Sequence, residues 1–153
     1  MVLLSHFGRP KNGPEAIFSL AQITAKVSEL IGTKVHFASD CISSEAFEIS
    51  QNLQPGEVLL LENVRFYAEE TAGDTAFAKK LAQHGDCYVN DAFGAAHRAH
   101  ASTTQLASFF PNAKMAGLLM NAEIENAKKV LLHAERPFTA IVGGAKVSDK
   151  ILI

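Results

Sequence analysis

The stretch Val58-Leu59-Leu60-Leu61-Glu62-Asn63-Val64-Arg65-Phe66 decides the fold. Four apolar residues in a row, with no polar alternation, describe a strand buried on both faces. Such strands belong to parallel sheets covered by helices on either side. Just ahead lies Gln54-Pro55-Gly56-Glu57, a turn in which Pro presets φ and Gly accepts a positive one. Just behind, the apolar run gives way to polar residues and then to a cation, Arg65.

The same grammar repeats outward in both directions. Met1–Leu4 is a short apolar run followed by the loop Ser5-His6-Phe7-Gly8-Arg9-Pro10. A helix is expected from Ser19, where Ser19 and Gln22 have the spacing of a capping box. Leu20, Ile23, Val27, Leu30 and Ile31 then follow a helical period, and Gly32 stops it. Val35–Ala38 is the second run, with a helix expected over Ser44–Asn52. After Val58–Leu61 comes a loop through Gly73 and a helix over Thr75–His84, ended by Gly85. Cys87–Val89 is the fourth run and leads into Asn90-Asp91-Ala92-Phe93-Gly94-Ala95-Ala96-His97-Arg98-Ala99-His100. Helical pattern resumes after Ser102 and again over Asn121–Leu132, before a fifth run at Phe138–Val142. Strands alternating with helices give the expected fold class: α/β, a three-layer, doubly wound, Rossmann-like parallel sheet. The chain starts inside a strand and stops a turn or two into its last helix, so the sheet is expected to be incomplete at both ends.

Composition narrows the function classes. The 153 residues are 48% hydrophobic and 20% charged, enough for one ordinary core. Fourteen Lys plus Arg against sixteen Asp plus Glu leave a net charge of −2. That disfavours nucleic-acid binding, which needs a broad basic surface and stacking aromatics among the cations. The apolar runs are too short to span a bilayer, and no signal-peptide pattern opens the chain. Cys41 and Cys87 lack any zinc-ligand or disulfide spacing; they read as small buried hydrophobes in a reducing cytoplasm.

The cations carry the chemistry. A parallel sheet puts the C-terminal ends of its strands along one edge, where open α/β folds bind ligands. His6 and Arg9 follow the first run, Arg65 the third, His97, Arg98 and His100 the fourth, and Lys146 and Lys150 the fifth. Arg136, ahead of the fifth run, reads as structural. An isolated arginine is explained by a helix cap or a surface pair. Three on one edge, with histidines beside them, call for an anion that fits their planar donor forks. Gly143-Gly144 resembles neither standard phosphate loop, but its place before a helix carrying Lys146 and Lys150 suits a phosphate. Asp40, Glu62 and Asp91 follow strands and read as caps or arginine partners, while His36, His84 and His133 read as structural. No general base, nucleophile–base pair or metal-ligand cluster stands out, which suits a phosphoryl transfer run by positioning and electrostatics.

Four segments together resemble the successive signatures of the phosphoglycerate kinases. They are Ser5–Pro10, Leu61–Phe66, Asn90–Gly94 with His97–His100, and Gly143–Lys150, in the family's order and at compatible spacing. The resemblance covers essentially the whole chain. It implies a glycolytic phosphotransferase working between 1,3-bisphosphoglycerate and ADP to give 3-phosphoglycerate and ATP, with Mg2+ bound alongside the nucleotide. It implies that His6, Arg9, Arg65 and Arg98 hold 3-phosphoglycerate, with Phe7 and Gly8 shaping their loop. Lys146 would be the catalytic residue that follows the phosphoryl group, and Gly144, Ala145 and Lys150 would meet the nucleotide phosphates.

The resemblance implies that residues 1–153 are part of the family's N-terminal, substrate-binding domain. It implies that the family's opening strand, its C-terminal nucleotide-binding domain with the Mg2+ ligand, and its hinge are missing from this chain. The piece alone is therefore expected to be inactive and poorly folded, and the full-length enzyme to be a cytoplasmic monomer. The competing reading from these residues is a non-catalytic phosphate-binding α/β module.

Overall fold

The computed structural model describes residues 1–11, 13–132, 134–139 and 141. The chain divides into two compact units, Met1–Met120 and Asn121–Ile153. In the first, β1 (Val2–Leu3), β2 (Val35–Ala38) and β3 (Val58–Leu61) form a parallel sheet in the order β1-β3-β2. Val2 and Leu3 pair with Leu59 and Leu60, and Val35 through Ala38 pair with Val58 through Leu61. The strand expected to be buried on both faces lies between the other two, and all four of its residues are buried.

Because successive side chains of a strand point to opposite faces, β3 feeds two separate cores. Leu59 and Leu61 pack with Ala46 of α2 (Ser44–Gln51), with Phe77, Ala78 and Leu81 of α4 (Thr75–Leu81), and with Leu106 of α5 (Leu106–Ser108). Val58 and Leu60 pack with Leu20, Val35 and, partly buried, Val27 of α1 (Ala21–Ile31). This is helix–sheet–helix layering.

Four local expectations change. First, Ser19 and Gln22 do not form a capping box. The Gln22 amide donates to the carbonyls of Ser19 and Ile17 instead. The start of α1 is capped by Glu62, whose carboxylate accepts from the Leu20 N–H at 2.8 Å and the Ser19 hydroxyl at 2.6 Å. Of the apolar stripe on α1, only Leu20 and Val27 meet the core; Ile23, Leu30 and Ile31 are exposed. Second, the stretch expected as a loop contains a short helix, α3 (Ala68–Ala72), closed by Gly73 at φ +67. Third, β4 (Tyr88–Asn90) pairs in parallel with an unanticipated strand, β5 (Lys114–Ala116), in a second two-stranded sheet. β5 escapes a hydrophobicity reading because Lys114 and Met115 are exposed. Fourth, Cys41 is fully buried as expected, but Cys87 is exposed at the entry to β4.

The second unit contains most of α6 (Leu118–Leu132). The expected fifth strand, Phe138–Val142, falls partly outside the described residues, and Phe138, Thr139 and Ile141 are not in a strand. No described helix is long and apolar enough to cross a membrane.

Removing the Glu62 carboxylate strands three donors, since the Asn63 N–H also binds it at 2.7 Å. Glu62→Ala is expected to lower the unfolding free energy by about 3 kcal/mol, against about 1 kcal/mol for Ser19→Ala. Urea titrations of the two variants check the ranking.

Candidate anion-binding site

The site grows from the end of β3. Asn63, fully buried, uses every part of its amide. Its nitrogen donates to the carbonyls of Phe7 at 2.7 Å and Phe18 at 2.9 Å, and its oxygen accepts from the Arg65 N–H at 3.0 Å. The loop after β1 is thereby fastened to the end of β3. Arg65 adds a second fastening, donating from Nη1 to the Gly8 carbonyl at 2.7 Å. Gly8 has φ +64, and a Cβ there would lie 2.3 Å from the Phe18 ring, so both conformation and space demand glycine. Phe7 stands half exposed, edge-on to Phe18 with ring centroids 6.1 Å apart.

The loop after β4 delivers the remaining cations. A 3-10 turn over Phe93–Ala95 leads to Arg98, whose Nε donates to His97 Nε2 at 3.3 Å. A π-helical turn, Ala101–Gln105, follows. Gly73 at the end of α3 lies so close to this loop that a Cβ would sit 2.5 Å from the Ala99 carbonyl oxygen.

Arg65 and Arg98 stand between two adjoining clefts and line both. One, of about 650 Å³, is also lined by Arg9, Lys11, Tyr67, Thr71 and His100. The other, of about 420 Å³, is also lined by His6, Ala92, Gly94 and Ala95. The sequence-predicted residues His6, Arg9, Arg65 and Arg98 are thus brought to one place, with Phe7 and Gly8 shaping the loop between them. Gly144, Ala145, Lys146 and Lys150 lie outside the described residues.

The electrostatics are those of crowded cations. Among the described residues, no carboxylate makes an ion pair with Arg9, Arg65 or Arg98. Desolvation, then the charges of Arg98 and Arg9, lower the pKa of Arg65 from its usual value, with Glu70 pulling the other way. The His6 pKa is lowered by desolvation first, then by Arg65, Arg98 and His100. For His100 desolvation again lowers it most; Glu70 opposes, and Arg65, Arg98 and His97 add to the lowering. A histidine ring depressed in this way favours its neutral form, and a bound anion favours the charged one.

The acidic residues flagged by the sequence turn out to be structural. Asp40 accepts from the Ile42 N–H, Glu62 caps α1, and Asp91 accepts from the Met120 N–H in the first turn of α6. His84 is a satisfied structural residue, bonded to the Ser50 hydroxyl and the Cys41 carbonyl, and His36 faces Glu57 at 3.3 Å. Sequence reasoning missed Asn63 and Glu70 as organisers of the site. Asn63 stands in a quoted signature, but only its burial shows its job. Glu70 lies beside Glu69 in a stretch expected as a loop, and it too is marked only by its burial.

The geometry has close counterparts. A sequence model of the phosphoglycerate kinase family matches residues 1–153. Phosphoglycerate kinase of Chlorobium phaeovibrioides is 54% identical over 151 residues, which cover 99% of this chain and 38% of that protein. That of Moorella thermoacetica is 50% identical over 153 residues, covering 100% and 38% respectively. The solved phosphoglycerate kinase of Coxiella burnetii superposes with a TM-score of 0.82 at 38% identity, over 98% of this chain and 37% of its own. For the Pyrococcus horikoshii enzyme the TM-score is 0.84 at 34% identity, over 97% and 37%. The chain therefore spans well under half the length of these relatives. With a family match from end to end and a fold that superposes on solved members, the chain belongs to the phosphoglycerate kinase family.

Proposed function

We propose that this chain is part of the N-terminal domain of a phosphoglycerate kinase, the part that holds 3-phosphoglycerate or 1,3-bisphosphoglycerate. The observation that carries this reading is the meeting of Arg65 and Arg98 between two clefts that also take in Arg9 and His6. Guanidinium groups gathered without carboxylate partners repel one another, and a multiply charged anion removes that cost. Two adjoining clefts that share two arginines suit a ligand with an anionic group at each end.

In this reading the reaction is reversible phosphoryl transfer between 1,3-bisphosphoglycerate and ADP, yielding 3-phosphoglycerate and ATP. In the reverse direction the acceptor is a carboxylate, already ionised, so no general base is required. His6, Arg9, Arg65 and Arg98 orient the substrate, and Lys146 accompanies the phosphoryl group. Gly144, Ala145 and Lys150 meet the phosphates of the nucleotide. Mg2+ arrives with the nucleotide, whose phosphate charge it offsets. Among the described residues no three His, Cys, Asp or Glu side chains cluster as metal ligands.

The nucleotide-binding C-terminal domain is the required partner, and the whole enzyme acts as a monomer in the cytoplasm. Residues 1–153 alone are inactive in this reading, because the transferred group must pass between two domains. The decisive experiment compares this chain with the product of its full gene in an ADP-coupled assay with 1,3-bisphosphoglycerate. Turnover by the gene product and none by the 153 residues is expected; activity of the 153 residues alone would overturn the two-domain requirement.

Two further outcomes follow from the site. Arg98→Ala is expected to weaken 3-phosphoglycerate binding by about 10- to 100-fold in calorimetry, the loss of a charge-assisted contact. Unchanged affinity would remove Arg98 from the site.

The second concerns pH. His6 and His100 have lowered pKa values and are neutral near pH 7 in the empty site, whereas a bound anion favours their protonated forms. Sulfate, dianionic throughout this range, is expected to bind more tightly near pH ~5.5 than near pH ~8. The stability of the ligand-free chain runs the opposite way. The pKa values of His6, His84 and His100 are all lowered on folding, so the unfolded chain binds protons first and stability falls as pH drops below 6.5. Thermal melts at several pH values, with and without sulfate, read both effects.

A further inference from the structure

Glu70 is a buried carboxylate, 2% exposed, set among the cations of the site yet lining neither cleft. A buried carboxylate survives only where donors surround it, and its donors identify what it holds. Oε2 accepts from the Ser102 N–H at 2.9 Å and Oε1 from the Ser102 hydroxyl at 2.6 Å. Nδ1 of His100 lies 3.7 Å from Oε1. All of these partners belong to the segment that follows Arg98. The same segment is closed on itself by Thr103, whose hydroxyl donates to the Arg98 carbonyl at 2.8 Å, and by the Thr104 N–H, which donates to the His100 carbonyl at 2.9 Å. The Tyr88 hydroxyl adds a bond to the Ser102 carbonyl at 2.8 Å. On the other side Glu70 belongs to α3, which begins one residue after Tyr67 and two after Phe66, both lining the larger cleft with Arg65.

We propose that Glu70 is a positioning residue. By gripping Ser102 and facing His100, it fixes the loop after β4 against α3, and so sets where Arg98 and His100 stand relative to Arg65. Glu70 touches no ligand itself; it acts through the loop it holds. A carboxylate suits this task better than an amide. Both of its oxygens accept, matching the two donors of Ser102, and its charge offsets the mutual repulsion of the cations it aligns. With Nδ1 turned toward Glu70, the opposite ring nitrogen of His100 is the one left for an anion.

The inference rests on the substrate reading above, and the experiment separates the two. Calorimetric titrations of 3-phosphoglycerate, and separately of inorganic phosphate, are run on the full gene product. Wild type is compared with Glu70→Gln, Ser102→Ala, Arg98→Ala and the Glu70→Gln/Arg98→Ala double variant, each well below its melting temperature. Glu70→Gln, which turns one acceptor into a donor facing Ser102, is expected to weaken binding about 5- to 30-fold. It is expected to add little when Arg98 is already gone, because the two act through the same contact. A merely structural role would lower the melting temperature and leave the affinity of the folded protein, and that non-additivity, unmoved. Wild-type affinity in Glu70→Gln, or effects of Glu70→Gln and Arg98→Ala that simply multiply, would overturn the proposal. If Glu70→Gln does not fold, Ser102→Ala decides instead: about threefold weaker binding supports the role, and unchanged binding overturns it. Glu70-dependent binding of inorganic phosphate, with 3-phosphoglycerate refused, would overturn the substrate reading while supporting the positioning role.

Discussion

Two polar residues buried where β3 ends, Glu62 and Asn63, hold the layers of this fold in register. Among the described residues, β3 is the only strand of its sheet with neighbours on both sides, and its side chains feed the cores on both faces. A polar group at the end of such a strand is costly to bury unless its hydrogen bonds are made. Here they are made to other elements. Glu62 closes the start of α1 on one face, and Asn63 holds the Phe7 and Phe18 carbonyls. Any shift of the loop after β1 would break bonds inside a dry environment. The cationic loops therefore begin from a rigid base.

That rigidity matters because the cations oppose it. Arg9, Arg65 and Arg98 crowd together, and the pKa values of Arg65, His6 and His100 are lowered first by desolvation and then by the neighbouring cations. Left to themselves, long flexible side chains would splay into solvent. Arg65 is restrained through its bond to the Gly8 carbonyl. The loop carrying Arg98 is restrained through Glu70 and through the contact that only a glycine at position 73 allows. One carboxylate on each side thus does comparable work: Glu62 organises the β1 side of the site and Glu70 the β4 side. A preorganised anion site forfeits less conformational freedom when its ligand arrives.

Membership of the phosphoglycerate kinase family gives this arrangement a context. The family match runs the length of the chain, while the chain covers only 37–38% of its relatives. The described residues gather His6, Arg9, Arg65 and Arg98 around two clefts. Positioning is a large part of what a phosphoryl-transfer enzyme contributes, because the reaction asks for alignment and charge more than for a proton acceptor.

How much of this was legible beforehand depended on the range of the interaction. Val58–Leu61 reads as a strand buried on both faces because its apolar run is local information, and all four residues are buried. The cations pointed to one edge because each strand of a parallel sheet ends on the same side. His6, Arg9, Arg65 and Arg98 duly converge. Long-range bonds were not legible. Ser19 and Gln22 have capping-box spacing, yet Glu62, more than forty residues away, takes the cap, because the fold buries its carboxylate against the start of α1. β5 was invisible because a short strand with exposed side chains is defined by its partner, β4, and not by hydrophobicity. Nothing in the sequence sets Glu70 apart from Glu69; the fold closes Ser102 over it. Sequence alone determined the kind of sheet and the charge of its edge, since both follow from residue type and order. Only tertiary structure decided which buried polar groups hold that edge in shape, because hydrogen-bond partners are chosen by proximity in space.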